Sequence, residues 1–252
     1  MRQTMWYGEK TWAWNPIAQR CTQISPGCYN CWHLGMADRL MKNVKMSDEL
    51  RHAYGTGKPI LVQRRLTEPL QRPEPTLIAV QFMGDIFHDR ITSAMRFPVW
   101  EIMEKAAHHT FLILTKRAGS MAEWCRLHQY HPSQNIWMGA SIEDQQTADL
   151  RIAEVISTPA AKRWLSIEPL IGPIDLGVHG LLNIDWVVVG CESGPERRPC
   201  PNKWIEDIVK QCKAARVAVW VKQIQGNPQP IRDAGAFPMA LRIREPGDYY
   251  DD

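Results

Sequence analysis

The sequence predicts an α/β protein built as a parallel (β/α) barrel, full or partial. Short β-branched or aromatic runs alternate with longer helix-like stretches, the pattern of a parallel sheet with helices outside it. The length, 252 residues, suits one barrel of about 250 residues. No G-x-G-x-x-G and no Walker sequence is present, which weakens the competing doubly wound nucleotide-binding sheet.

The elements follow in order. Two N-terminal strands are weakly marked, near Lys10–Trp14 and Ile60–Arg64, with a helix over Trp32–Lys45 between them. Met46–Thr76 is broken by Pro59, Pro69, Pro73 and Pro75 and reads as an irregular insertion or a lid over the barrel mouth (46–76). The apolar runs Leu77–Met83, Thr110–Thr115, Asn135–Ala140, Arg163–Ile167, Trp186–Gly190 and Val217–Val221 are short enough for buried parallel strands. Helices are predicted over Thr92–Ala107, Gly119–His128, Ile142–Ile156 and Asn202–Ala215. Glu143 and Asp144 fall in the first turn of the third of these, where the helix dipole favours acids. One domain is expected over 1–242, followed by a polar tail, 243–252.

Hydrophobic residues make up 44% and charged residues 23%, which excludes a disordered chain, a collagen and a disulfide mini-protein. The net charge of +3 permits a nucleic-acid partner without arguing for one. No apolar run of about 18 residues is present, so no membrane span is expected. Met1–Lys10 has no apolar signal region, so the expected compartment is reducing cytoplasm. There the seven cysteines read as metal ligands, reactive thiols or core residues. Eleven tryptophans suggest large flat contact surfaces.

The strongest motif is Cys21-Thr-Gln-Ile-Ser-Pro-Gly-Cys28-Tyr-Asn-Cys31. Three thiols are an odd number for disulfides and one short of a closed four-cysteine zinc site. They suit an iron–sulfur cluster with one iron left open. Zinc completed by a remote His or Cys, and three unrelated core cysteines, are the alternatives. Ser25-Pro26-Gly27 allows a sharp turn, and a helix starting after Cys31 turns its positive end toward the thiols. His88, His108, His109 and His128 lack metallohydrolase spacing.

Further segments recur in order: Trp14-Asn15-Pro16, Met83-Gly84-Asp85-Ile86-Phe87-His88, Leu114-Thr115-Lys116-Arg117, Ser141-Ile142-Glu143-Asp144-Gln145, Ser166-Ile167-Glu168-Pro169-Leu170, Glu192-Ser193-Gly194 and Lys222-Gln223. With the cysteines, these resemble a phage-associated three-cysteine-motif family of unknown function, itself similar to radical S-adenosylmethionine (SAM) enzymes. The likeness spans nearly the whole chain. It implies a barrel of the radical SAM type, with a [4Fe-4S] cluster on Cys21, Cys28 and Cys31 and SAM on the fourth iron. One electron then cleaves SAM to a 5′-deoxyadenosyl radical. The chain departs from the common C-x3-C-x2-C pattern: six residues fill the first gap, and Asn30 stands where an aromatic usually precedes the last cysteine.

Barrel enzymes keep their active sites at the carboxyl ends of the strands. The candidates there are polar residues that follow apolar runs. For cofactor binding these are Met83, Gly84 and Asp85, with Asp85 accepting from the SAM amine. Lys116 would pair with the SAM carboxylate or a substrate anion, Ser141 and Glu143 would hold the ribose, and Ser166 and Glu168 complete the set. Cys191, where the family usually has glycine, and Lys222 are the catalytic candidates. The Cys191 thiol would donate hydrogen to a substrate radical, or merely fill space. Gln223 is expected to meet substrate beside Lys222. Cys125 and Cys212 read as core, and Cys200 is uninformative.

The resemblance implies a radical SAM enzyme, of isomerase, lyase or transferase type, acting on phage DNA or a modified nucleotide. A hypermodified pyrimidine formed by rearrangement or carbon–carbon bond chemistry is the leading expectation. The partners are SAM and an electron donor such as flavodoxin, in the host cytoplasm, with no membrane. Arg64-Arg65, Arg72, Lys116-Arg117 and Arg197-Arg198 are expected to form a phosphate-contacting rim, and exposed tryptophans to stack a base that a duplex would have to flip out. Two other classes compete: a zinc-stabilised nucleic-acid-binding module, and a non-catalytic iron–sulfur redox partner. Polar residues at several strand ends argue against both.

Overall fold

A computed structural model describes residues 11–245. In chain order the elements are β1 (Trp12–Trp14), β2 (Ile17–Ala18), α1 (Trp32–Met41), α2 (Asp48–Thr56), β3 (Ile60–Leu61), α3 (Gln63–Leu66) and β4 (Leu77–Val80). Then come α4 (Ser93–Lys105), β5 (Thr110–Thr115), α5 (Ala118–Leu127), β6 (Ile136–Ser141), α6 (Gln145–Ser157) and β7 (Lys162–Ile167). The chain continues with α7 (Gly177–Leu181), β8 (Trp186–Gly190), α8 (Asn202–Ala215) and β9 (Ala218–Gln223).

Seven strands form one parallel sheet in the order β1-β4-β5-β6-β7-β8-β9. The order is sequential and its ends do not pair, so the sheet is a curled half-barrel: the barrel is partial. Side chains alternate between its two faces. Ile113, Met138, Leu165, Val187 and Val221 belong to the larger core, together with residues of α4, α5, α6 and α8. Leu112, Trp137, Trp164, Trp186, Val188 and Trp220 form a second cluster on the other face. The tryptophans expected as contact surface are therefore mostly structural. Among the described residues Trp32 is the exposed one, at 49%. A half-open barrel needs bulk on its concave side, and indoles supply it.

The stretch 46–76, expected to be irregular, instead holds α2, β3, α3 and a 3-10 turn over Glu68–Gln71. Its prolines fall outside α2, and Ser47 caps that helix by accepting from the Leu50 amide. α2 packs on α1, while β3 pairs antiparallel with β2. No residue of this stretch lines the cavity described below, so it is not a lid over it.

α6 begins later than expected. Asp144 is its N-cap, in a capping box with Thr147, and Glu143 lies before the helix. Ile243–Glu245 run along the free edge of β9, with the Val221 amide donating to Ile243 O at 2.9 Å and the Glu245 amide to Val219 O at 3.1 Å. Met1–Lys10 and the rest of the expected tail, 246–252, lie outside the described residues. Among the described residues no helix is long and apolar enough to cross a membrane.

Candidate active site

A cavity of about 440 Å³ opens at the carboxyl ends of the strands, between the cysteine loop and the ends of β4 to β9. That volume is within the range of small-molecule sites. Cys21, Cys28 and Cys31 all line it. Pro26–Cys28 form a 3-10 turn, and α1 starts directly after Cys31, as its sequence position implied.

Three buried carboxylates from alternate strand ends hold this loop in place. After β4, Asp85 accepts from Thr115 Oγ1 at 2.7 Å, the Phe87 amide at 2.9 Å, and the Lys116 amide and Arg117 Nη1 at 3.1 Å. Arg117 then donates to Thr22 Oγ1 at 2.8 Å and reaches the Cys21 sulfur at 3.9 Å. After β6, Glu143 Oε1 accepts from Ser25 Oγ at 2.9 Å, from Arg151 Nη1 at 3.1 Å and from the Lys116 ammonium. After β8, Glu192 is gripped by Arg198 through Nε at 2.9 Å and Nη2 at 2.5 Å. Asn30 donates to Glu192 at 3.2 Å, and Arg198 Nη1 donates to Pro26 O at 2.9 Å. Each ion pair is shielded from water at the carboxylate, with side-chain exposure there of 5% or less.

The remaining wall comes from β7, β8 and β9. Lys222 Nζ lies 2.9 Å from Glu168 Oε1. Ser166 Oγ donates to Glu168 Oε2 at 3.3 Å. Gln223 Nε2 donates to Cys191 O at 2.6 Å, and Arg232 Nε donates to Gln223 Oε1 at 3.1 Å.

The electrostatics follow from burial. Burial pushes the Cys21 thiol up to about 11, with Asp85 adding and Arg117 opposing. Burial also raises Cys31. Burial and then the Glu168 charge push Cys191 up to about 11. Burial lowers the Lys222 pKa, while Glu168 resists. Burial alone would raise Glu143, but Lys116 and Arg151 outweigh it and hold the carboxyl below its usual range. Burial and the Arg20 charge lower His33 to about 4, so its ring is neutral, and its Nε2 accepts the Cys21 amide at 3.3 Å.

Eleven of the residues expected at the site line the cavity: the three cysteines, Gly84, Asp85, Lys116, Ser141, Glu168, Cys191, Lys222 and Gln223. Met83, Glu143 and Ser166 do not. Met83 packs on the small cluster around Ala18, Ala37 and Tyr54. Glu143 is wholly buried beneath the cysteine loop, and Ser166 is wholly buried beside Glu168. Gly84 has a positive φ of +133°, and packing also requires glycine there: a Cβ would lie 2.8 Å from Gln19 Cδ. Asp85, expected to receive the SAM amine, spends both oxygens on the four protein donors named above. Arg117 and Arg198, expected on a phosphate rim, are committed to Asp85 and Glu192. The roles of Asn30, Glu192, Arg198 and Arg232 in building the cavity were missed. Pairings across such sequence separations leave no local signal, although Glu192 and Ser193 stood at a strand end.

The donor set suits an iron–sulfur cluster. Three thiols face one cavity, Arg117 approaches one sulfur, and Ser25 Oγ lies 3.7 Å from the Cys28 sulfur. The sulfurs are not gathered on one point. Among the described residues no three His, Cys, Asp or Glu converge as a single-ion site.

An open parallel (β/α) barrel with polar side chains converging at the carboxyl ends of its strands is an architecture typical of enzymes. The chain belongs to the family described as protein of unknown function DUF5131, whose model matches residues 3–236. No curated protein and no solved structure matches it.

Proposed function

We propose that this chain is a radical SAM enzyme whose [4Fe-4S] cluster is held by Cys21, Cys28 and Cys31. One observation carries the reading: all three cysteines line the same cavity as Lys116, Ser141, Glu168 and Lys222, at the carboxyl ends of a parallel half-barrel. When bound, the cluster and SAM supply one-electron cleavage and hydrogen abstraction, chemistry that belongs to the cofactor rather than the protein. The chain's own part is to bind, orient and exclude water. Asp85, Glu143 and Glu192 position the cysteine loop through Arg117, Ser25 and Arg198. In this reading Ser141 and Lys116 would meet the cofactor's polar groups and Glu168, Cys191 and Lys222 the substrate, which their shared place in the cavity lining supports.

The proposal extends to a substrate of phage DNA or a modified nucleotide, and that extension rests on the resemblance. Of the expected phosphate rim, Arg64 stays exposed, whereas Arg72 lies over the Trp12 ring and Arg117 is buried. A small nucleotide therefore fits the cavity better than a duplex gripped by a basic surface.

Anaerobic reconstitution with iron and sulfide tests the reading, followed by dithionite and SAM. The expected outcome is a brown protein that releases 5′-deoxyadenosine and loses its iron in Cys28→Ala. A colourless protein holding one zinc would replace the enzyme with a zinc-stabilised binding module. A stable cluster that never cleaves SAM, with or without candidate nucleotides, would leave a redox partner.

A further inference from the structure

The charges around the cavity do not cancel. Asp85 is matched by Arg117, Glu143 by Lys116 and Arg151, Glu192 by Arg198, and Glu168 by Lys222. Arg232 also lines the cavity, and among the described residues it has no carboxylate partner. Its Nε is fixed by the neutral Gln223 at 3.1 Å, and Gln223 is itself fixed by Cys191 O at 2.6 Å. Arg197, close enough to act on the Cys191 thiol, donates to the carbonyls of Gly194 and Gly226 at 3.2 Å and 2.8 Å. Two lining cations, Lys222 and Arg232, thus stand against the single Glu168 carboxylate at the ends of β7 to β9, with Arg197 behind the wall.

We propose that this wall is an anion subsite, in which Arg232, with Lys222 beside it, receives a carboxylate or phosphate group of the substrate. The inference rests on the cavity being the active site, as proposed above, but needs no cluster. A guanidinium held by Nε keeps its two terminal nitrogens as a planar fork, the geometry that matches an oxyanion in bidentate fashion. Excess positive charge in a partly enclosed cavity favours an anion over a neutral ligand. Gln223 acts as the positioning residue, since it ties the fork to the β8 and β9 ends and so to Cys191.

Calorimetric titration of the cluster-free, reduced full-length chain tests this with three probes: inorganic phosphate, acetate and SAM. The wild type is expected to bind phosphate or acetate, and the stronger of the two names the group. Arg232→Gln should lose about tenfold to a hundredfold in that affinity, as expected for a charge-assisted hydrogen bond, and Arg232→Lys should keep part of it. Glu168→Gln should bind the same anion more tightly, because it removes the opposing charge; this second variant decides the matter if Arg232→Gln does not fold. Absence of phosphate and acetate binding in the wild type would overturn the proposal, as would unchanged affinity in Arg232→Gln. Weaker SAM binding in that variant with phosphate and acetate unchanged would also overturn it, by assigning the cation to the cofactor. Failure of SAM cleavage in the reconstituted protein would leave these titrations unaffected.

Discussion

Ser25 donates its hydroxyl to Glu143 at 2.9 Å across 118 positions of sequence, tying the cysteine loop to the end of β6. The same carboxylate oxygen takes Lys116 and Arg151, and its neighbour Oε2 has no partner among the described residues. Removing one member of such a buried set leaves the others uncompensated, at about 3–5 kcal/mol. Glu143→Ala should therefore lower the unfolding free energy by that order, seen as a lower urea midpoint at unchanged slope, and loosen the loop enough to lose bound iron. An unchanged midpoint would mean that Glu143 is no anchor.

Glu143 and Glu192 both have carboxyls held below the ordinary value of 4.5. A depressed folded-state pKa adds stability that is fully present above the unfolded value and lost as pH falls through the folded one. The urea midpoint should thus be level near neutrality and fall as acid titrates these groups below pH 4.5. Glu143→Gln starts lower and should show a shallower acid decline. Parallel declines in the two proteins would remove Glu143 from the linkage.

The strand–helix alternation was legible because its signal is local. Thr110–Thr115, Trp186–Gly190 and Asn202–Ala215 appear with the bounds their residues imply. Leu77–Met83 is shorter than its apolar run because β4 stops at Val80 and Gln81 takes a positive φ of 55°. The cysteine loop and most cavity residues were also legible, since polar residues after apolar runs mark strand ends. What Glu143 and Asp85 do was not legible. Asp85 reads locally as a free acid at a strand end and Glu143 as a first-turn acid of a helix, and only the folded chain brings Lys116, Arg117, Arg151 and Ser25 to them. The tryptophans misled for a related reason: composition counts indoles but does not tell the inside of a half-barrel from its rim.

Gly27 sits against the Glu143 side chain, where an added Cβ would lie 2.6 Å from Cδ. Gly27→Ala must push that carboxylate or the loop aside. It should destabilise the wild type by about 1–3 kcal/mol, as overpacking does. In a Glu143→Ala background the added methyl has room, so the second step should cost much less. A double-mutant cycle in urea measures the coupling. Additive losses would show that the loop does not rest on Glu143.

Thiol alkylation separates the cysteines by place. Cys21 and Cys31 are partly exposed, whereas Cys125, Cys200 and Cys212 are buried, with thiols pushed up to about 12 by burial. The thiolate is the reactive form, so a buried thiol with a raised pKa is inert twice over, through lack of access and lack of charge. Iodoacetamide on the native cluster-free chain, read by peptide mass mapping, should label Cys21 and Cys31 first and reach the other three only in urea. Cys191, buried but lining the cavity and held near 11, should fall between the two groups. After reconstitution with iron and sulfide, Cys21, Cys28 and Cys31 should become protected together while the rate at Cys191 stays within the range of the cluster-free chain. Protection of one or two of the three would break the shared-cluster assignment, because ligands of one cluster are deprotonated and covered as a set.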